Sequence, residues 1–103
     1  MKSETIGGKV ILRRTTDEKV PFMQRLARIE GQVRGLRQMI EDDRYCGEEL
    51  QQVNAVIAAI REVALLLISE QMTSQINHMA EEPAGAASMQ DLIELLRSTF
   101  RLQ

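Results

Sequence analysis

The segment Arg25-Leu26-Ala27-Arg28-Ile29-Glu30-Gly31-Gln32-Val33-Arg34-Gly35, continued through Asp42-Asp43-Arg44-Tyr45-Cys46, decides how the rest of the chain is read. Phe22, Leu26, Ile29, Val33, Leu36 and Ile40 follow one another at intervals of 4, 3, 4, 3 and 4 residues. That alternation belongs to an α-helix packed along its length on other helices. Arg25, Arg28, Arg34 and Arg37 flank the apolar stripe. Gly31 and Gly35 lie one turn apart on the far side from it. Each costs about 1 kcal/mol in a helix interior relative to alanine. Either something approaches the backbone there, or an exposed face tolerates them.

Before this helix, Thr16 or Asp17 can serve as cap, with Glu18 in the first turn. Pro21 is tolerable only near the start. The helix runs to about Asp42, and Asp43 to Gly47 form the connection. A second helix follows from Gly47 or Glu48 to Ala80. Its apolar residues include Leu50, Val53, Ile57, Ile60, Leu67 and Ile76, a wide stripe roughly 50 Å long at 1.5 Å per residue. No single short partner covers such a face. The pattern therefore predicts self-association, most simply an antiparallel dimer forming a four-helix bundle. Glu81 to Ala87 make a loop. Ser88 then caps a short third helix, with Asp91 three residues on and a stripe of Met89, Leu92, Ile93, Leu96 and Phe100. Residues 1–15 read as a flexible basic arm interrupted by Gly7-Gly8. Neither a strand pattern nor an internal repeat is evident. The expected organisation is all-α: an arm over residues 1–15 and a three-helix domain over residues 16–103.

Composition narrows the function. The chain has 103 residues, 44% hydrophobic but only 3% aromatic, so its core must be aliphatic. No unbroken apolar run reaches about 18 residues, the length of a membrane helix, and no signal-peptide core is present. One cysteine rules out an intrachain disulfide and suits a reducing cytoplasm. The net charge of -2 conceals an asymmetry. Residues 1–37 carry nine Lys/Arg against four acids; the remainder carries four against eleven. A basic arm joined to a basic first helix is a candidate polyanion surface; ordinary solvated helix charge reads the same way.

No catalytic set is present. There is one histidine and one cysteine, without a nucleophile motif or a glycine-rich phosphate loop. The expectation is a protein that is not an enzyme and holds no cofactor. Cys46 is the one reactive candidate. At a helix start, free backbone N–H groups and the macrodipole favour a thiolate. Arg44 adds to this, and Asp42 and Asp43 oppose it. A lone cysteine is also commonly a small buried apolar residue. Gln71, Gln75 and His78 share one face of the second helix at spacings of 4 and 3; a lone helical histidine is more often a surface residue than a ligand.

The run from Arg25 to Gly35, then Met39-Ile40-Glu41 and Asp43-Arg44-Tyr45-Cys46, then Leu50, Gln52, Ala55 and Val56 resembles the CsoR/RcnR family of small bacterial repressors. The resemblance covers about Lys19 to Phe100. It implies three helices per chain, an antiparallel dimer and a tetramer as a dimer of dimers. It also implies operator-DNA binding without a helix-turn-helix. Release would follow when a metal ion, formaldehyde or a persulfide acts at a site between subunits. That site would join the cysteine at the start of the second helix to second-helix residues of the partner.

This sequence departs from the family pattern at informative places. Copper-sensing members carry histidine and cysteine 25 and 29 residues after the first cysteine; here those positions are Gln71 and Gln75. Carboxamides are poor ligands for Cu(I). The histidines of nickel and cobalt sensors are missing from the arm, and an arm about ten residues longer starts Met1-Lys2 instead of exposing an N-terminal proline. Tyr45 matches the family's tyrosine, and Asp91 replaces its glutamate. Glu62, beside Arg61, stands where a basic residue is common. The expected reading is a cytoplasmic homotetrameric repressor with no membrane partner. Lys9, Arg13, Arg14, Arg25, Arg28 and Arg34 would contact DNA, and Cys46, Tyr45, Gln71, Gln75 and Asp91 would form the effector-sensing site for a small-molecule or reactive inducer other than copper. The alternatives are a metal site from Cys46 and a neighbour's His78, and a helical oligomerisation partner that does not sense.

Overall fold

The computed structural model describes residues 1–81 and 86–101. In chain order these form β1 (Lys2–Ile6), β2 (Lys9–Arg13), α1 (Thr16–Glu41), α2 (Cys46–Glu81) and α3 (Ala86–Arg101). The three helices, of 26, 36 and 16 residues, lie where the apolar periodicities place them. The third begins at Ala86, so Ser88 falls inside its first turn and does not precede it.

The first fifteen residues differ from the expected strandless arm. β1 and β2 pair antiparallel, from Lys2 opposite Arg13 to Ile6 opposite Lys9. Gly7 and Gly8 have φ of +57° and +78°. Positive φ at both central residues is what a two-residue hairpin turn requires if its twist is to match the strands. The glycine pair, read as a breaker, is the turn itself, and Val10-Ile11-Leu12 supplies the apolar residues of β2. Val10 is buried, and Ile11 and Leu12 are half-buried.

α1 starts with a capping box centred one residue earlier than expected, on Thr15. The Glu18 N–H donates to Thr15 Oγ1 at 3.2 Å, and the Thr15 N–H donates to Glu18 Oε1 at 3.2 Å. The Met1 ammonium lies 3.0 Å from the same carboxylate oxygen. Pro21 lies inside α1 without ending it. At the other end, the Arg44 N–H reaches the Met39 carbonyl at 3.0 Å and the Asp43 N–H reaches that of Ile40 at 3.2 Å. These are the paired bonds of a Schellman cap, with Asp43 at φ +51° where glycine is usual.

The chain divides into two compact units: Met1–Lys19 with Ala64–Gln103, and Val20–Val63. In the first, α3 packs on β2. In the second, the Gln52 side chain donates from Nε2 to the Gln32 carbonyl at 2.9 Å. Gln52 also lies over Gly35, where a methyl group would sit 3.5 Å from Nε2, an ordinary contact. A side chain therefore comes near this glycine, but not so near as to demand one.

Buried apolar residues are few among those described: Val10, Ile29, Val63 and Leu92. One 18-residue stretch within α2 is apolar enough, by length and composition alone, to cross a membrane, with a mean hydropathy of 1.6. Scattered polar residues still break the apolar run, as the sequence shows, and the core helix of a protein outside the membrane passes the same test.

Candidate functional site

The basic residues fall into two groups. Arg25, Arg28 and Arg34 of α1 are exposed, and no ion pair among the described residues engages them. Arg25 and Arg28 line a cleft with Ile29, Gln32, Ala58, Ala59 and Glu62. The hairpin's arginines are differently placed. Arg13 pairs with Glu4, and half-buried Arg14 pairs with Glu70 of α2. Lys9 is exposed.

Cys46 is the first residue of α2 and is exposed. The Tyr45 carbonyl accepts the N–H groups of Glu48 at 2.9 Å and Glu49 at 3.2 Å, which starts the helix. The Tyr45 ring, 77% exposed, lies across Gly47 so closely that a Cβ there would collide with Cε2. The Arg44 guanidinium pairs with Glu48 Oε2 at 2.8 Å, so its charge already has a carboxylate partner. The result is a solvent-open thiol beside an exposed phenol.

Gln71, Gln75 and Asp91 come together elsewhere, in the hairpin's own unit. Gln71 Nε2 donates to the Val10 carbonyl at 2.8 Å. Asp91 Oδ2 accepts the Val10 N–H at 3.1 Å and faces Gln75 Nε2 at 3.4 Å. Gln75 is wholly buried, and Asp91 is 8% exposed. His78 is half-buried one turn further along α2. Two of the five expected sensing residues, Gln71 and Asp91, thus meet the two backbone groups of Val10 in β2, and a third, Gln75, meets Asp91. Sequence reasoning missed Val10, Glu70, Thr15 and Gln52, all of which act through backbone groups or long-range pairs. Only Gly7-Gly8 signalled the hairpin.

A sequence profile described as metal-sensitive transcriptional repressor matches residues 18–98. The chain belongs to this family. Its members are transcriptional repressors, not enzymes. This repressor is 43% identical over 72 residues to the copper-sensing transcriptional repressor RicR of Mycobacterium tuberculosis, covering 70% of this chain and 75% of RicR. The crystal structure of the copper-sensing repressor CsoR with Cu(I) from Geobacillus thermodenitrificans NG80-2 is similar at a TM-score of 0.80 and 34% identity, covering 90% of this chain and 97% of that one. The nickel-responsive transcriptional regulator InrS is similar at a TM-score of 0.73 and 32% identity, covering 86% and 97%. One fold therefore serves repressors named for different metals, and the effector must be argued from side chains.

Proposed function

We propose that this repressor binds operator DNA through Arg25, Arg28 and Arg34, assembles as antiparallel dimers and a dimer of dimers, and is induced through Cys46 by an agent other than copper. The observation that carries the DNA reading is the exposure of those three arginines, which no ion pair among the described residues engages. Lys9 adds charge from the hairpin. Arg13 and Arg14 contribute less, because each already faces a carboxylate. Operator binding puts the protein in the cytoplasm. The apolar face of α2, with Arg61 and Glu62 in its middle, is then covered by another copy of the chain and not by lipid.

The relatives' copper chemistry does not fit these residues. Cu(I) is held by thiolate and imidazole, whereas Gln71 and Gln75 are carboxamides bonded to Val10 and Asp91. Residues 25 apart in one helix cannot meet, so a site joining Cys46 to Gln71 needs two chains. Even then it offers Cu(I) one good ligand. An exposed thiol needs no second protein ligand to react with an electrophile or an oxidant.

The test uses duplexes selected by the protein from random sequence. Affinity should fall steeply with salt, because each neutralised phosphate releases counterions. Arg25→Ala should weaken binding to all sequences alike and flatten the salt slope. Arg14→Ala should do so less. An unchanged slope in Arg25→Ala refutes the DNA surface. Cys46→Ala should bind DNA normally yet ignore hydrogen peroxide or an aldehyde that releases the unmodified protein. Release by one equivalent of Cu(I) per chain refutes the effector reading.

A further inference from the structure

The hairpin register decides which backbone groups of β2 stay unpaired. In a two-residue hairpin the pair flanking the turn, here Ile6 and Lys9, exchanges its backbone hydrogen bonds. The next pair, Thr5 and Val10, does not. The N–H and C=O of Val10 therefore point away from β1, along an open strand edge. Val10 is 5% exposed, and a buried backbone group must find a partner or carry a large penalty. Both partners are side chains. Asp91 of α3 accepts the N–H, and Gln71 of α2 donates to the carbonyl. Gln75, fully buried, donates to the same Asp91 oxygen at 3.4 Å and orients the carboxylate. A donor and an acceptor set to read the two backbone groups of one extended residue form a peptide-recognition site, not an ion site.

We infer that Gln71, Gln75 and Asp91 constitute a strand-binding site whose ligand is the chain's own β2, so that the hairpin closes over helix positions 71 and 75. The Arg14–Glu70 ion pair anchors the strand's exit beside it. The site recognises backbone, so its occupancy depends on β2 being a strand and on Val10 keeping its amide hydrogen. It does not depend on operator binding or on Cys46, and it stands if the DNA reading fails.

Amide exchange on the full-length protein tests this without DNA. In the unmodified chain the Val10 amide should be protected. In Asp91→Ala it should exchange at least about tenfold faster, as losing one hydrogen bond of ordinary strength allows, while amides of α1 stay unchanged. Access is read with Gln75→Cys and a maleimide in the Cys46→Ala background. Labelling of the introduced thiol should be slow while the hairpin is intact. It should quicken about tenfold when Gly7→Val with Gly8→Val disrupts the turn, whose positive φ valine resists, or when Val10→Pro removes the donor. An exchange rate at Val10 equal in the Asp91→Ala and unmodified proteins overturns the assignment. So does labelling of the Gln75→Cys thiol at one rate whether the hairpin is intact or broken.

Discussion

The two compact units of this chain finish their folding differently. The unit that contains the hairpin pairs named polar groups from within: the buried Val10 backbone with Gln71 and Asp91, half-buried Arg14 with Glu70, and exposed Thr15 with Glu18. The unit over Val20–Val63 keeps the stripe that defines its helix largely open. Ile29 is buried, but Leu26 is 40% exposed, Val33 47% and Ile40 59%; Leu50 and Ile60 of α2 are 57% and 52% exposed. A periodicity of 3.5 residues states that a face will be covered, not what covers it. Polar groups make the opposite kind of statement. Their partners are specific, and here they lie in the same chain.

The largest effect should come from charging the open stripe. Ile60→Glu changes a half-exposed site, and surface substitutions usually move single-chain stability by no more than about 0.5 kcal/mol. In an assembly that buries Ile60 the same change places an unpaired charge in an apolar interface. Sedimentation should find the assembly lost at micromolar concentration, and operator binding lost with it. An Ile60→Glu protein that sediments like the unmodified one would place the interface elsewhere.

Next in size is Leu92→Ala in α3. Leu92 is 6% exposed, and removing a buried leucine's methyl groups costs about 2–4 kcal/mol when the cavity does not collapse. Met89, three residues earlier and 44% exposed, should cost far less when changed to alanine. Denaturant midpoints for the pair measure how closed the hairpin's unit is. Equal losses would erase the contrast between the units.

These contrasts show what was legible in the sequence. The three helices were, because Leu26-Ile29-Val33 and its counterparts in α2 and α3 repeat over many turns. Cys46 at the start of α2 was legible, since Asp43 and Gly47 mark a break. The hairpin was not, although Gly7-Gly8 followed by Val10-Ile11-Leu12 carries its signal; five-residue strands leave too few alternations to outweigh a polar, lysine-containing context. The clamp on Val10 was out of reach for a different reason. Asp91 is 81 positions from Val10 and Gln71 is 61, and each meets a backbone group, which looks alike in every residue. Gln71, Gln75 and Asp91 could be picked as a set only through the family resemblance, which carries no sign of the strand that Gln71 and Asp91 meet.

A smaller change should stabilise. Asp43 holds φ +51° in the Schellman cap of α1, and a left-handed conformation costs an L-residue roughly 1–2 kcal/mol that glycine avoids. Aspartate recovers part of this by local hydrogen bonding. Asp43→Gly should therefore raise stability by about 0.5–1 kcal/mol. A lower melting temperature would mean that the Asp43 side chain does more for the connection than its backbone strain takes away.

The smallest effect is a pH dependence at the other end of α1. Glu18 is held below its ordinary value of 4.5 first by the Met1 ammonium, then by the Thr15 backbone N–H. A carboxyl group whose pKa is lower in the folded than in the unfolded state binds fewer protons when folded. Its contribution is then complete above the ordinary value, declines as the pH falls from there towards the lowered one, and is absent below it. The carboxylate is partly exposed, so the contribution is small and screened by salt. Glu18→Gln removes the charge but keeps an oxygen for the Thr15 N–H. Melting temperatures of the two proteins should coincide near pH 3, separate as the pH rises from there, and differ in full above about pH 5, with the unmodified protein higher and the gap narrowing in added salt. Melting temperatures that coincide from pH 3 to pH 7 would assign the role of Glu18 to the capping hydrogen bond alone, and would show that the ammonium contact adds nothing to holding β1 against the start of α1.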